Sequence, residues 1–334
     1  MLYYNINLKQ IKTMKKIHLI STLIGLLAFS TLAKADLKVV TSIKPIHSLA
    51  SYIMDGVGSP GLIVDGYNSP HNFQLKPSHA KMLEQADIIF WVGEDLENFL
   101  EKPLDTIAKK AEKIELLEIK GIKKLKFRER NIFEEHEGHD DHGDDAKKEE
   151  HDDHGHDAKK EEHDEHGHGE YDPHIWLDPI NAKVILNEIT EHLIENDSKN
   201  ASTYKSNLAK ALAKIDKLII DVITETNTNL SYVVFHDAYQ YYENRFNVNI
   251  LGAMTVNPDV MPGAEQIHEI HEVIEHDNVS CILSEPQFNP DIIKSIAKDT
   301  NVKTGVLDPL GANLKPGKDL YFDLIRNMSA SFNC

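Results

Sequence analysis

Basic residues are in deficit: 36 Lys and Arg stand against 54 Asp and Glu, a formal charge of −18 over 334 residues. Nucleic acid recognition needs a basic surface, so that class of partner is excluded, and a cation is the natural one. Cysteine is scarcer still, at two residues, Cys281 and Cys334, and neither stands beside a base. Past the N-terminus no apolar run reaches the roughly 20 residues of a membrane-spanning helix. The strand-turn-helix nucleophile pattern G-x-S-x-G, the phosphate-binding P-loop and the dinucleotide pattern G-x-G-x-x-G are all missing, so catalysis has no visible signature. What is present is an ordinary globular composition, 41% hydrophobic and 27% charged, which excludes wholesale disorder.

Residues 14–35, MKKIHLISTLIGLLAFSTLAKA, run from a basic start through an apolar stretch to an A-x-A cleavage signal. That order predicts a secretory signal peptide over 1–35, with Met14 fitting as its start. An uncleaved anchor is the alternative, but the stretch is short and diluted by Ser21, Thr22 and Ser30. No Cys near Ala35 can accept a lipid, so a soluble monomer from Asp36, with no stable membrane insertion, is expected in the periplasm. In that oxidising compartment Cys281 and Cys334 are expected to pair, against the alternative of a buried thiol and a frayed tail.

Short β-rich runs then alternate with amphipathic stretches. Expected strands are 37–42, 61–66, 86–93 and 113–118, then 230–235, 249–254, 279–285 and 302–307. Helical patterns fill the gaps, with Ser78 as an N-cap and a helix opening after Pro262. Alternation of this kind predicts an α/β fold: two doubly wound lobes with parallel sheets. The N-terminal lobe is expected over 36–178 and the C-terminal lobe over 230–334. Residues 179–229 carry a helical periodicity that predicts a long linking helix and limited hinge motion.

One segment departs from this pattern. Residues 134–170 hold 17 Asp and Glu, four Lys and nine of the 19 His, with no Ile, Leu, Val, Phe or Trp. The block DAKKEEHDDHG at 145–155 returns at 157–167 with one substitution. Without apolar residues the segment is expected to be a disordered insertion in the first lobe. Its imidazoles, His136, His139, His142, His151, His154, His156, His163, His166 and His168, suit weak, multiple metal binding.

Elsewhere His is rare enough to weigh singly. His71 lies in a loop past 61–66, His174 follows the insertion, and His236 and Asp308 each stand directly after an expected strand. Open α/β sheets bind ligands beyond the carboxyl ends of their strands, so these four residues suggest a metal cleft between lobes, against the reading that each serves its own loop. His47 is a weaker candidate. His79 and the helix HEIHEVIEH (268–276) are expected at the surface, since the spacing there does not match the i, i+4 pair of a metalloprotease.

The stretches SIKPIHSL, PHNFQLKPSHAKMLEQADIIFWVG, PHIWLDP, FHDAYQYYENRF, TVNPDVMPGAEQIHEI, SEPQF and LDPLGANLKPG together resemble the zinc-binding proteins of ABC importers, within the wider metal-binding solute receptors. The resemblance implies two lobes joined by a long helix and one metal between them, held by His71, His174 and His236. It also implies the Cys281–Cys334 bridge. Manganese-type relatives usually carry Glu at the position of His236, so His there favours Zn²⁺. Pro70 stands where some zinc-type relatives have an acidic residue, which leaves water or Asp308 as the fourth ligand. Ala253 replaces the His that some relatives place at a second site. The function so implied is capture of Zn²⁺ for an inner-membrane ABC zinc permease. A manganese receptor, a zinc buffer or adhesin, and a zinc hydrolase using Asp237 or Glu285 are the alternatives.

Overall fold

The computed structural model describes residues 36–128, 130–133, 169–258 and 260–334. The expected signal peptide and all nine histidines of the acidic segment lie outside the described residues.

Eight strands form where eight were expected, as two four-stranded parallel sheets. In the N-terminal lobe β1 (Val39–Ile43), β2 (Gly61–Val64), β3 (Ile88–Trp91) and β4 (Glu112–Glu115) run in the order β2-β1-β3-β4. In the C-terminal lobe β5 (Ser231–His236), β6 (Asn249–Thr255), β7 (Cys281–Ser284) and β8 (Lys303–Val306) repeat that order as β6-β5-β7-β8. The central strands β1, β3 and β5 are almost wholly buried, as expected for a parallel sheet covered on both faces.

Helices α1 (Lys44–Ile53), α2 (Pro77–Glu84), α3 (Glu94–Thr106) and α4 (Pro179–Asn196) belong with the first sheet. The long α5 (Ala201–Glu225) joins the lobes, and α6 (Gln240–Phe246), α7 (Ala264–His276), α8 (Asp291–Thr300) and α9 (Leu320–Ser331) follow. Helix α2 begins one residue ahead of the expected Ser78 cap, because Pro77 takes the first helical position, where its missing N–H costs nothing. His79, expected at the surface, is half-buried against the Phe73 ring, and its Nδ1 accepts from the Lys76 N–H at the helix start.

With 25 residues α5 spans about 38 Å. Its Tyr204, Asn207, Ala211, Ile215, Leu218 and Val222 recur at three- and four-residue spacing and are buried. Asn207 donates to the carbonyls of Ile53 and Asp55, closing the exposed end of α1.

A segment leading from the first lobe also crosses to the second. The Ala253 N–H bonds to the Asn131 carbonyl and the Phe133 N–H to that of Leu251, with a bridge between Ile132 and Gly252. Residue 252 has to be glycine for this approach, since a Cβ there would lie 2.7 Å from the Asn131 oxygen. On the far side of the acidic segment the chain returns to the same place: Lys126 bridges Tyr171, and the Asp172 N–H bonds to the Leu125 carbonyl.

Cys281 on β7 is bonded to Cys334, the last residue, 53 positions away. On the chain-entropy account such a loop stabilises by about 4 kcal/mol. No helix among the described residues is long and apolar enough to cross a membrane.

Candidate metal centre

His71, His174 and His236 come together. One ring nitrogen of each lies within 4.8 Å of the other two, and the three ring centroids are 5.2–5.6 Å apart. His236 ends β5, at the carboxyl edge of the second sheet, and His71 sits in the loop after β2 in the first. His174 opens a single 3-10 turn, Ile175–Leu177, that leads into α4. His174 and His236 are buried and His71 is half-buried.

Each buried imidazole is held by a carboxylate. His174 Nδ1 lies 2.7 Å from Asp172 Oδ1, and the same oxygen accepts the His174 backbone N–H at 2.9 Å. Asp-Pro-His is therefore a local turn that fixes both the backbone and the ring of its third residue. His236 Nδ1 lies 2.6 Å from Glu285 Oε1, which arrives from the loop after β7. A carboxylate that accepts from Nδ1–H keeps the ring proton on that nitrogen and leaves Nε2 with its lone pair. The two Nε2 atoms face each other at 3.4 Å. Two lone pairs at that distance repel unless a proton or a cation lies between them.

The electrostatics match this geometry. Burial and the neighbouring His236 push His174 well below its ordinary value, so it is held neutral. His236 moves the other way: burial alone would lower it, but Glu285, Asp237 and Asp172 outweigh burial and raise it. The two rings are thus shifted in opposite directions across the 3.4 Å gap between their Nε2 atoms. Burial lifts Asp172 to about 7, against the opposing pull of the His174 N–H, Arg128 and His236.

Arg128, on the crossing segment, lies beside the centre. It donates to Asp237 at 3.0 Å and to Glu243 at 2.7 Å, with its guanidinium 3.9 Å above the Phe133 ring. Burial lifts Asp237 to about 6 and Glu243 to about 7, with Arg128 pulling both down.

The cavity lined by Ser69, the three His, Trp176 and Glu285 measures about 10 Å³, enough for one water-sized occupant. That is the size of a single ion.

Two candidates do not join the group. Asp308 stands after β8 as expected, but its Oδ1 accepts from the N–H groups of Leu310 and Gly311 and from Gln287, and its Oδ2 from that of Ala312. Its oxygens organise the loop over the site. Lys44 grips the same loop from the other lobe, donating to the carbonyls of Gly311, Ala312 and Leu314 at 2.6–3.0 Å. The second, His47, points into its own lobe: Nε2 meets the Pro60 carbonyl at 3.2 Å and Nδ1 the Ser51 hydroxyl at 3.4 Å. Sequence pattern alone does not point to Asp172, Arg128 or Lys44, and it offers Glu285 only as a base. Asp172 alone had a local signal, the Asp-Pro-His turn.

Paired α/β lobes with imidazoles converging where their sheets end define a metal-ion receptor type of centre. The profile of the family described as zinc-uptake complex component A, periplasmic, matches residues 39–333. A high-affinity zinc uptake system protein ZnuA of Brucella abortus is 44% identical over 330 residues, covering 96% of this chain and 98% of that protein. The chain belongs to this zinc-uptake component A family. Among solved structures, a laminin-binding adhesin (Lmb) from Streptococcus agalactiae superposes with a TM-score of 0.69 at 21% identity, covering 89% of this chain and 98% of that one. A ZnuA crystal structure does so with 0.68 at 20%, covering 89% and 100%. At these identities the superpositions show a shared fold.

Proposed function

We propose that this chain captures Zn²⁺ in the periplasm, with His71, His174 and His236 as its protein ligands, and passes it to an ABC zinc permease of the inner membrane. The observation that carries this reading is the pair of carboxylate-anchored imidazoles whose Nε2 atoms face each other at 3.4 Å, with His71 completing the triangle. Three imidazoles with one open position suit Zn²⁺, and the nitrogen-only set disfavours Mn²⁺, which prefers oxygen. Water is the fourth ligand in this reading, since the Asp308 oxygens are engaged elsewhere.

Capture proceeds by exchange: the ion enters from the half-exposed His71 side into the gap between the His174 and His236 Nε2 atoms, in competition with a proton on the raised His236. Glu285 and Asp172 hold the two rings while the proton leaves. Release requires the rings to separate. With α5, Lys44 and the crossing segment all tying the lobes together, small local movements serve better than wide closure.

The acidic His-rich segment fits local capture and buffering of zinc, its negative charge raising the cation concentration nearby. Export by the signal over 1–35 and the family's periplasmic description support the compartment. The test is growth of a strain lacking this chain under zinc chelation. Restoration by the wild-type chain and failure by His236→Ala support a transport receptor; equal growth with and without the chain leaves a buffer or adhesin.

A further inference from the structure

A second group of side chains of metal-ligating type lies at the other end of the first sheet. Glu112 opens the edge strand β4, while His192 and Glu195 stand near the C-terminus of α4. One donor atom from each lies within 4.8 Å of the other two. His192 Nδ1 is 2.8 Å from Glu112 Oε1, and its Nε2 is 3.2 Å from Glu188 Oε1 one turn earlier. Asn196 holds Glu112 in place, donating to Oε2 at 2.9 Å and leaving Oε1 turned to the imidazole. Phe90 backs the ring at 6.2 Å. The cluster meets the amino end of β4, whereas His71, His174 and His236 lie past the carboxyl ends of β2 and β5, so the two groups are separate.

Three features favour a cation here over a simple ion pair. His192 Nδ1 is shielded from solvent yet makes no hydrogen bond, despite the carboxylate oxygen 2.8 Å away. Among the described residues no Lys or Arg forms an ion pair with Glu112, Glu188 or Glu195, so one imidazole faces three carboxylates. The last turn of α4 carries no basic residue, although a helix C-terminus is the negative end of its dipole and attracts positive charge.

We propose that Glu112, His192 and Glu195 form a second divalent-cation site, with Glu188 at its edge. One imidazole and two or three carboxylates suit Zn²⁺ and, with their oxygen majority, accept Mn²⁺ as well. The site is half-exposed, so it binds more weakly than the buried centre. An ion there ties the edge strand β4 to the end of α4 and stabilises the first lobe in proportion to the free metal.

The test uses the full processed chain, residues 134–168 included. Crystals soaked in zinc chloride and measured at the zinc absorption edge are expected to show a peak bonded to His192 Nδ1, Glu112 and Glu195. In His192→Gln that peak is lost while the peak at His236 stays. In solution, zinc added beyond the first tight equivalent raises the melting temperature, and part of that rise disappears in both His192→Gln and Glu112→Gln. A peak at His236 with none at His192 overturns the proposal. So does a peak that persists in His192→Gln, or a thermal rise that both variants retain.

Discussion

The two clusters are built from the same kinds of side chain arranged in opposite ways. In the buried centre each of two imidazoles has its Nδ1 spoken for by one carboxylate, and the nitrogens left over converge. At the end of α4 the carboxylates are themselves the majority of the donors and a single imidazole sits among them. Placing a carboxylate behind an imidazole yields a nitrogen-rich centre of low charge. Placing it alongside yields an oxygen-rich centre of high negative charge that distinguishes divalent ions poorly. Burial adds to the contrast, because a cavity of about 10 Å³ limits ligand number, whereas a half-exposed surface admits more water.

The largest effect that sharpens this contrast is the loss of a converging nitrogen. His174→Ala or His236→Ala is expected to weaken the tight zinc site by more than about 100-fold in a calorimetric titration, beyond what outer partners contribute. Glu285→Gln and Asp172→Asn keep the nitrogens and lose the orienting charge. Each is expected to cost roughly 10- to 100-fold in zinc affinity with the fold intact by circular dichroism. A loss as large as that of His236→Ala would make these carboxylates ligands and break the comparison.

Proton competition comes next. Because His236 is raised, the metal-free centre holds a proton below that raised value and must release it on binding. Zinc affinity therefore falls as pH falls through it, by about tenfold per pH unit for each proton displaced. Titrations in buffers of different ionisation heat count the proton directly, and an affinity flat from pH 8 to 5.5 would refute the exchange. The smallest effect belongs to the surface cluster: His192→Gln is expected to change affinity at the tight site by less than about twofold, since it shares no partner with the cleft.

Much of this architecture is written locally. Runs such as ADIIFWVG and LSYVVF are bounded and apolar, so all eight strands emerge from sequence to within two or three residues, and the buried spacing of α5 announces itself over seven turns. The three His were legible because each follows a strand or a short turn and the resemblance covers the whole chain. What sequence hides is approach in space. Glu285 reaches His236 across 49 residues, and Arg128 reaches Asp237 across 109, with no periodic trace of either. Asp308 shows the converse. Its position after β8 suggests a ligand, but in D-P-L-G-A the following N–H groups turn back on the carboxylate, a turn completed by Gly311 at φ 71°.

The central claim is that three neutral imidazoles, independent of the acidic segment, hold one Zn²⁺. Zinc calorimetry on the processed chain lacking residues 134–168, beside the same chain carrying His236→Ala and with Mn²⁺ as competitor, tests it most directly. One tight equivalent is expected, which Mn²⁺ does not displace and His236→Ala abolishes. No tight equivalent in the shortened chain, or one that survives His236→Ala, would contradict it.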